Sequence, residues 1–349
     1  MNALVSVFLA ALAGAPDEGS ISVRLGDVRM TNLGLVAVAR VPAFTDALGS
    51  TYGSASGLAA TGWTYDLERG EHHGRIWTLP DRGRNDPTRR FFTRYVNRAH
   101  AFDAVLTTVS QAIPRRWRRA AIRRQDLARF VWEPADLALP VGQDGLVANV
   151  AKYLDGQLVV GVNPDRARFD GVLVRHDPAA VADVLHRAAE GAAKVERRTL
   201  VEARLDDGQR LRALNEIFVG HRTHQSARYS LRGAGAVERQ SSSGLIVATG
   251  TGATGWARSI ARERHTDLAL PSPTEPALAF FVREAFPSVA TGTTMTEGVV
   301  RGDGALEVVS EIDEGGVVFG DGLEDDRLRL GWGVRVEIGV AKERLHLVV

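Results

Sequence analysis

From Leu33 to Ala39 the run LGLVAVA is continuously apolar and rich in β-branched and small residues, the pattern of a strand buried on both faces of a parallel sheet. Residues 46–95 hold many Gly, Ser, Thr and charged residues without a clear period, and read as loops with one helix. Phe102, Val105, Leu106, Val109 and Ile113 recur at helical spacing, which predicts an amphipathic helix stopped by Pro114. Leu137–Val141 reads as a strand, Leu146–Leu154 as a helix and Leu158–Val162 as a strand. This order predicts an α/β domain with parallel pairing and a right-handed crossover. A further helix is predicted from Pro178 in its first turn to Gly191 just past its end, with Val181, Val184, Leu185 and Ala188 on one face.

Beyond this helix the texture changes to short apolar segments punctuated by Gly and Asp, at 197–205, 212–220, 227–232, 244–248, 305–310, 316–320, 334–340 and 344–349. That pattern predicts an antiparallel, sandwich-like domain. The expected organisation is an extension at 1–29, an α/β nucleotide-binding domain at 30–165 and a β-rich domain at 166–349 whose C-terminal end returns to the first.

Composition narrows the chemistry. In 349 residues, 43 Lys plus Arg against 42 Asp plus Glu leave a formal charge of +1, which argues against a global field for nucleic acid or a membrane surface. With no Cys there is no disulfide, thiolate metal site or cysteine nucleophile. Lys occurs three times, at Lys152, Lys194 and Lys342, and never after Gly, so a P-loop of the GxxxxGK[ST] kind is excluded. Leu4 to Ala13 is a signal-peptide candidate followed by small residues, but it lacks a charged n-region and is too short to span a bilayer, and a cytoplasmic protein is expected.

Three segments carry candidate chemistry. Gly142, Gln143, Asp144 and Gly145 lie between a strand and a helix, where glycines let backbone approach a ligand and the helix N-terminus offers N–H groups to phosphate. An Asp there can take a proton from an attacking hydroxyl, hold Mg²⁺ indirectly, or simply cap the helix. Asn215 and Glu216 head the apolar stretch IFVG and have the donors and acceptors to bind a ribose or base edge; a solvated strand end is the rival reading. The buried strand GLIVA at 244–248 runs into Thr249, Gly250, Thr251, Gly252, Ala253, Thr254, Gly255 and Trp256, hydroxyls set beside bare backbone that suit a phosphate-bearing ligand or a structural turn.

The order GQDG at 142–145, GVNPDRARFDGVL at 161–173, LNEIFV at 214–219 and SGLIVATGTGATGW at 243–256 resembles the NAD kinase family, whose marks are GGDG, GVN followed by a Gly-Phe pair, an NE pair and DGLIVATPTGSTAY. FGDGL at 319–323 looks like the Asp-Gly turn near that family's end. The resemblance implies that family's two-domain fold and ATP-dependent transfer of a phosphoryl group to the 2′-hydroxyl of the adenosine ribose of NAD, giving NADP, with ATP as donor and Mg²⁺ as cofactor. It implies that Asp144 activates the hydroxyl and that Gly142, Gln143 and Gly145 form the donor-phosphate loop. On the acceptor side it implies Asn163, Phe169 packed on adenine, Asn215 and Glu216 on the ribose, Ser243, the turn residues Thr251, Gly252 and Thr254, and Trp256. Homodimers or homotetramers are expected.

The chain departs from the family's marks at Gln143 in GGDG, at Ser243 in place of Asp, and in TGTGATGW, where Gly250 and Gly255 are expected to loosen the turn and Trp256 to enlarge its aromatic wall. A sugar or other small alcohol as acceptor, or a catalytically silent dinucleotide-binding protein, are the alternatives. The six Arg at 115–124 around Trp117 read as a solvated helix face or oligomer contact rather than an anion patch. Asp321, Glu324, Asp325 and Asp326 read as a hairpin turn between 316–320 and 334–340, and the nine His show no paired ligand spacing, so no resident metal site is assigned.

Overall fold

The computed structural model describes residues 101–349 except Ala234, together with the backbone of five earlier strands, Val5–Ala10, Val28–Thr31, Gly34–Val38, Ala59–Asp66 and Glu71–Thr78. Outside those strands, the expectations for residues 1–100 lie beyond the described residues. Four helices are described: α1 (101–112), α2 (Asp144–Ala151), α3 (Val181–Ala189) and α4 (Trp256–Arg264).

One sheet carries ten strands. Its parallel part runs Arg118–Arg123, Val5–Ala10, Asp136–Val141, Leu158–Val159, and then the far end of the long strand Arg335–Val348, where His346 pairs with Leu158. Asp136–Val141 is buried along its whole length, as expected of a strand covered on both faces. Arg335–Val348 pairs antiparallel with Val195–Leu205 along its length and, at its near end, with Ala305–Ser310, so the last strand of the chain joins the parallel and antiparallel parts.

The second sheet has six antiparallel strands in the order Glu297–Arg301, Ala277–Arg283, Gly244–Thr249, Glu216–His221, Gly316–Gly320 and Leu323–Arg329. Its inner residues Ile217, Val219, Leu245, Val247 and Val318 pack against Val201, Ala203, Leu231, Val308 and Ile338 of the first sheet. Its outer residues Phe218, Ile246, Ala248 and Phe281 are covered by Ala257 and Ile260 of α4. Gly244–Thr249 is therefore buried on both faces, which is why GLIVA has no polar alternation. The expected fold class, an α/β part with an antiparallel sandwich, is what the chain forms.

Several elements differ from the pattern. Within the expected strand Leu33–Ala39, the described part Gly34–Val38 pairs antiparallel with Val28–Thr31 rather than in the parallel sheet. Val5–Ala10, within the apolar run Leu4 to Ala13, is a parallel strand paired on both sides, next to the edge strand of the sheet. A short apolar run has the same composition in either role, and only its partners distinguish them. The arginine-rich segment is no helix face: Arg118–Arg123 is a strand paired with Val5–Ala10, and Trp117 is buried in the core. The expected strand 212–220 is two, Arg210–Ala213 and Glu216–His221, and 334–340 with 344–349 is one strand with a register shift between Val340 and Arg344. Ala277–Arg283 is an unexpected strand although its run ALAFFV carries the same signal as GLIVA.

Phe281 is fully buried between the second sheet and α4. Phe281→Ala is expected to lower the unfolding free energy by about 3–5 kcal/mol, read from urea denaturation curves at unchanged slope.

Candidate functional site

The GQDG turn leaves the buried strand Asp136–Val141 and opens α2. Gly142 N–H donates to the Val162 carbonyl at 3.1 Å, which fixes the turn against the neighbouring strand end. Gln143 is the N-cap residue, half-buried, and its side chain makes no capping bond; Gly145 is exposed with open space around it. Asp144 is half-buried, and its carboxylate faces the segment after Gly171. Oδ1 accepts N–H bonds from Leu173 (2.8 Å) and Val174 (3.0 Å), and Oδ2 accepts one from Val172 (3.0 Å).

Glycine makes this approach possible. A Cβ on Gly161 would lie 2.2 Å from the Leu173 carbonyl oxygen, and Gly171 has φ +69° with Val174 O only 2.7 Å from where its Cβ would be. Asn163, 1% exposed, shapes the same loop: Nδ2 donates to Phe169 O and Oδ1 accepts from Asp165 N, both at 3.0 Å. Both ends of this amide are engaged within the loop. Phe169 is half-buried with the Arg168 guanidinium 5.4 Å from its ring centre.

The Asn215–Glu216 pair meets the threonine-rich bend at one end of the second sheet. Thr249 Oγ1 donates to Leu214 O at 2.5 Å, Thr249 N–H donates to Asn215 O at 2.8 Å, and Thr249 Oγ1 accepts from Thr251 N at 3.0 Å. A Cβ on Gly252 would fall 2.1 Å from Asn215 O, so only bare backbone fits there. Gly250, expected to loosen the bend, does the opposite: a Cβ would lie 1.9 Å from Ser272 O, and the missing side chain lets the bend close onto that segment. Thr251 is buried, and the exposed Thr254 donates to Thr251 O at 2.9 Å.

From the other side, the Asp321 carboxylate accepts N–H bonds from Leu214 (3.0 Å) and Asn215 (2.7 Å). Asp321 and Gly322 form a two-residue hairpin turn with φ of +55° and +68°, a conformation that suits an Asp-Gly pair. The turn therefore joins Gly316–Gly320 to Leu323–Arg329, not to 334–340 as its spacing suggests, because the acidic residues 324–326 lie in a strand of their own. Burial pushes the enclosed Asp321 carboxyl up to about 6, with Lys152 pulling it back. Burial, and then the neighbouring charge of Asp321, push Glu216 up to about 7 against the same opposing pull from Lys152.

Arg198 connects the two halves. Its side chain is 3% exposed, donates to Glu196 Oε2 at 2.9 Å and to Thr251 Oγ1 at 3.4 Å, and lies close enough to Asp144 for their charges to interact. The buried guanidinium thus contacts the threonine-rich bend and places its charge within range of Asp144. Ser243 is set apart, at the opposite end of Gly244–Thr249, about 20 Å away at 3.3 Å per residue. It lines a cavity of about 420 Å³ with Phe218, Phe319, Trp256, Arg222 and Arg283. There Trp256 stacks on Phe218 with ring centres 6.2 Å apart, and Arg283 lies 5.4 Å from the Trp256 ring centre.

Arg198, Glu196 and Lys152 did not stand out in the sequence. Arg198 and Thr199 are adjacent buried residues within Val195–Leu205, a break in alternation that only pairing reveals; Lys152 had the one available signal, rarity. Among the described residues no three His, Asp or Glu side chains converge as metal ligands, and no helix is long and apolar enough to cross a membrane.

The raised Glu216 and Asp321 groups bind protons more tightly folded than unfolded, so stability falls as pH rises through this window and levels above it. Urea denaturation is expected to show less stable protein at pH 7 than at pH 5 relative to Glu216→Gln, which removes the steeper part of that slope. Gly252→Ala is expected to cost about 1–3 kcal/mol by forcing Asn215 aside.

No family model matches the chain. A curated NAD kinase from Methylococcus capsulatus is 36% identical over 133 residues, a match covering 36% of this chain and 45% of that protein, so the similarity spans less than half the relative's length. Among solved structures, yeast NADH kinase complexed with NADH superposes with a TM-score of 0.52 at 15% identity, covering 71% of this chain and 79% of that one. An NAD kinase from Archaeoglobus fulgidus in complex with ATP superposes with a TM-score of 0.51 at 20% identity, covering 71% and 88%. The resemblance carried by the four motifs is thereby borne out: this chain has the fold of the NAD kinase family and a sequence relationship to one of its members.

Proposed function

We propose that the chain is an ATP-dependent kinase that phosphorylates the 2′-hydroxyl of the adenosine ribose of NAD, giving NADP. The observation that supports this reading is the buried Arg198, which donates to Thr251 in the bend closed on Asn215 while its charge lies within range of Asp144. The relative's name supports kinase activity on NAD, and the two structural neighbours support the fold on which that reading rests.

In the proposed reaction the ribose oxygen attacks the γ-phosphorus of ATP, the bond to the bridging oxygen of ADP breaks, and the hydroxyl proton passes to Asp144. Oδ2 is the oxygen for this task, since it accepts one backbone N–H while Oδ1 accepts two. Asn215 and Glu216 hold the ribose, with ionised Glu216 accepting from a sugar hydroxyl. The GQDG turn and the free amides of α2 face the donor phosphates, with Gln143 adding a side chain at that edge. Magnesium would arrive on the phosphate oxygens of the donor, because the described residues offer no converging ligand set. We further propose a cytoplasmic homodimer or homotetramer.

A second reading, a kinase of the same fold acting on a sugar or other small alcohol, rests on the departure at Gln143, which adds a side chain to the turn that opens α2.

Purified protein with NAD, ATP and Mg²⁺ is expected to form NADP, and Asp144→Asn to lower kcat by about 10²–10⁴-fold. ADP release measured across NAD, NADH and simple sugars separates the two readings: turnover confined to a sugar overturns the first. Tight NAD binding by calorimetry without any ADP release overturns both.

A further inference from the structure

Lys152 is one of three lysines in the chain, and it is buried, with its side chain 2% exposed. An ammonium group is removed from water at a cost of several kcal/mol unless it is paired and hydrogen-bonded. Here it is both: Nζ donates to Gly320 O at 2.8 Å and to Asp326 Oδ2 at 3.0 Å. Gly320 opens the turn whose next residue, Asp321, holds the amides of Leu214 and Asn215, and Asp321 N–H in turn donates to Glu216 O at 3.0 Å. Lys152 is also the C-cap residue of α2, about 12 Å along the helix from Asp144 at its first turn. The same short helix is therefore anchored at one end to the 172–174 amides and at the other to the Asp-Gly turn.

We propose that Lys152 is a positioning residue, which ties α2 to the Asp321–Gly322 turn and thereby holds the Asn215–Glu216 pair in place and charged for a ribose-bearing ligand. The proposal rests on the dinucleotide reading above for the identity of that ligand. The charged groups facing Glu216 are Asp321 from the turn and Lys152 from α2. Asp326, on Leu323–Arg329, partly neutralises Lys152, and Tyr153 beside Asp326 is pushed up by burial and by that charge. Removing the lysine leaves two carboxyl groups facing each other without a cation, whereas removing the Asp326 charge leaves the lysine to act on them alone. The two substitutions must then act in opposite directions, a sign that a merely structural role does not produce.

The test is calorimetric titration of the full chain with NAD from pH 5.5 to 8.5. Binding is expected to strengthen as pH rises through the titration of Glu216. Lys152→Met is expected to move that midpoint up by about one pH unit and to weaken binding at pH 7 roughly tenfold, while Asp326→Asn moves the midpoint down. A folded Lys152→Met protein with the wild-type midpoint and affinity overturns the proposal. If circular dichroism shows that this variant does not fold, Asp326→Asn decides, and an unmoved or raised midpoint overturns it. Wild-type protein that binds no NAD defeats the dinucleotide reading instead. In that case the pH profile of urea unfolding of ligand-free Asp326→Asn decides the role of Lys152, with a displacement to lower pH supporting it and an unmoved or raised profile overturning it.

Discussion

The enclosed carboxylate of Asp321 is the interaction on which the site depends. Two backbone amides, those of Leu214 and Asn215, point at it where the chain leaves one sheet for the other, and a strand ladder cannot serve them there. An unpaired buried amide costs about as much as a lost hydrogen bond, so this carboxylate fixes the crossing point. The crossing point then fixes everything nearby: Thr249 grips Leu214 and Asn215 from the opposite side, and Gly252 rests on the Asn215 carbonyl.

A carboxylate enclosed this way pushes its neighbour toward protonation, and Glu216 is that neighbour. The same burial that orders the backbone therefore acts on the charge of Glu216. Lys152 opposes this from α2, and it does so through the helix that also carries Asp144. Backbone order, electrostatics and the proton acceptor of the proposed reaction are connected through a helix of two turns.

Arginine does comparable work on the other flank. Arg198 is held by Glu196, which is also bonded by Arg175, so its charge is largely spent within the protein. Its orientation is what reaches the site: one arm lies on Thr251 while its charge acts on Asp144. Ser243 and Trp256 sit in a different environment on the far part of the same sheet, where an aromatic stack and three arginines, Arg222, Arg283 and Arg327, make a cationic, ring-lined cavity.

The sequence by itself determined the elements whose signal is local. The period of Phe102 to Ile113, the helix α3 with Pro178 in the 3-10 turn before it and Gly191 just past its end, and the unbroken apolar run before the threonine-rich bend follow from side-chain pattern and backbone chemistry alone. The four motifs likewise identified the fold, because glycines at close approaches such as Gly161 and Gly252 cannot be replaced without a clash. Tertiary structure alone decided what depends on partners distant in the chain. Val5–Ala10 is an interior strand because of the strands at either side, and Lys152 meets the Asp321–Gly322 turn because residue 320 folds back onto it. The amides of 172–174 reach Asp144 only because a loop nearly thirty residues on returns to the same turn, a separation over which composition and period carry no information.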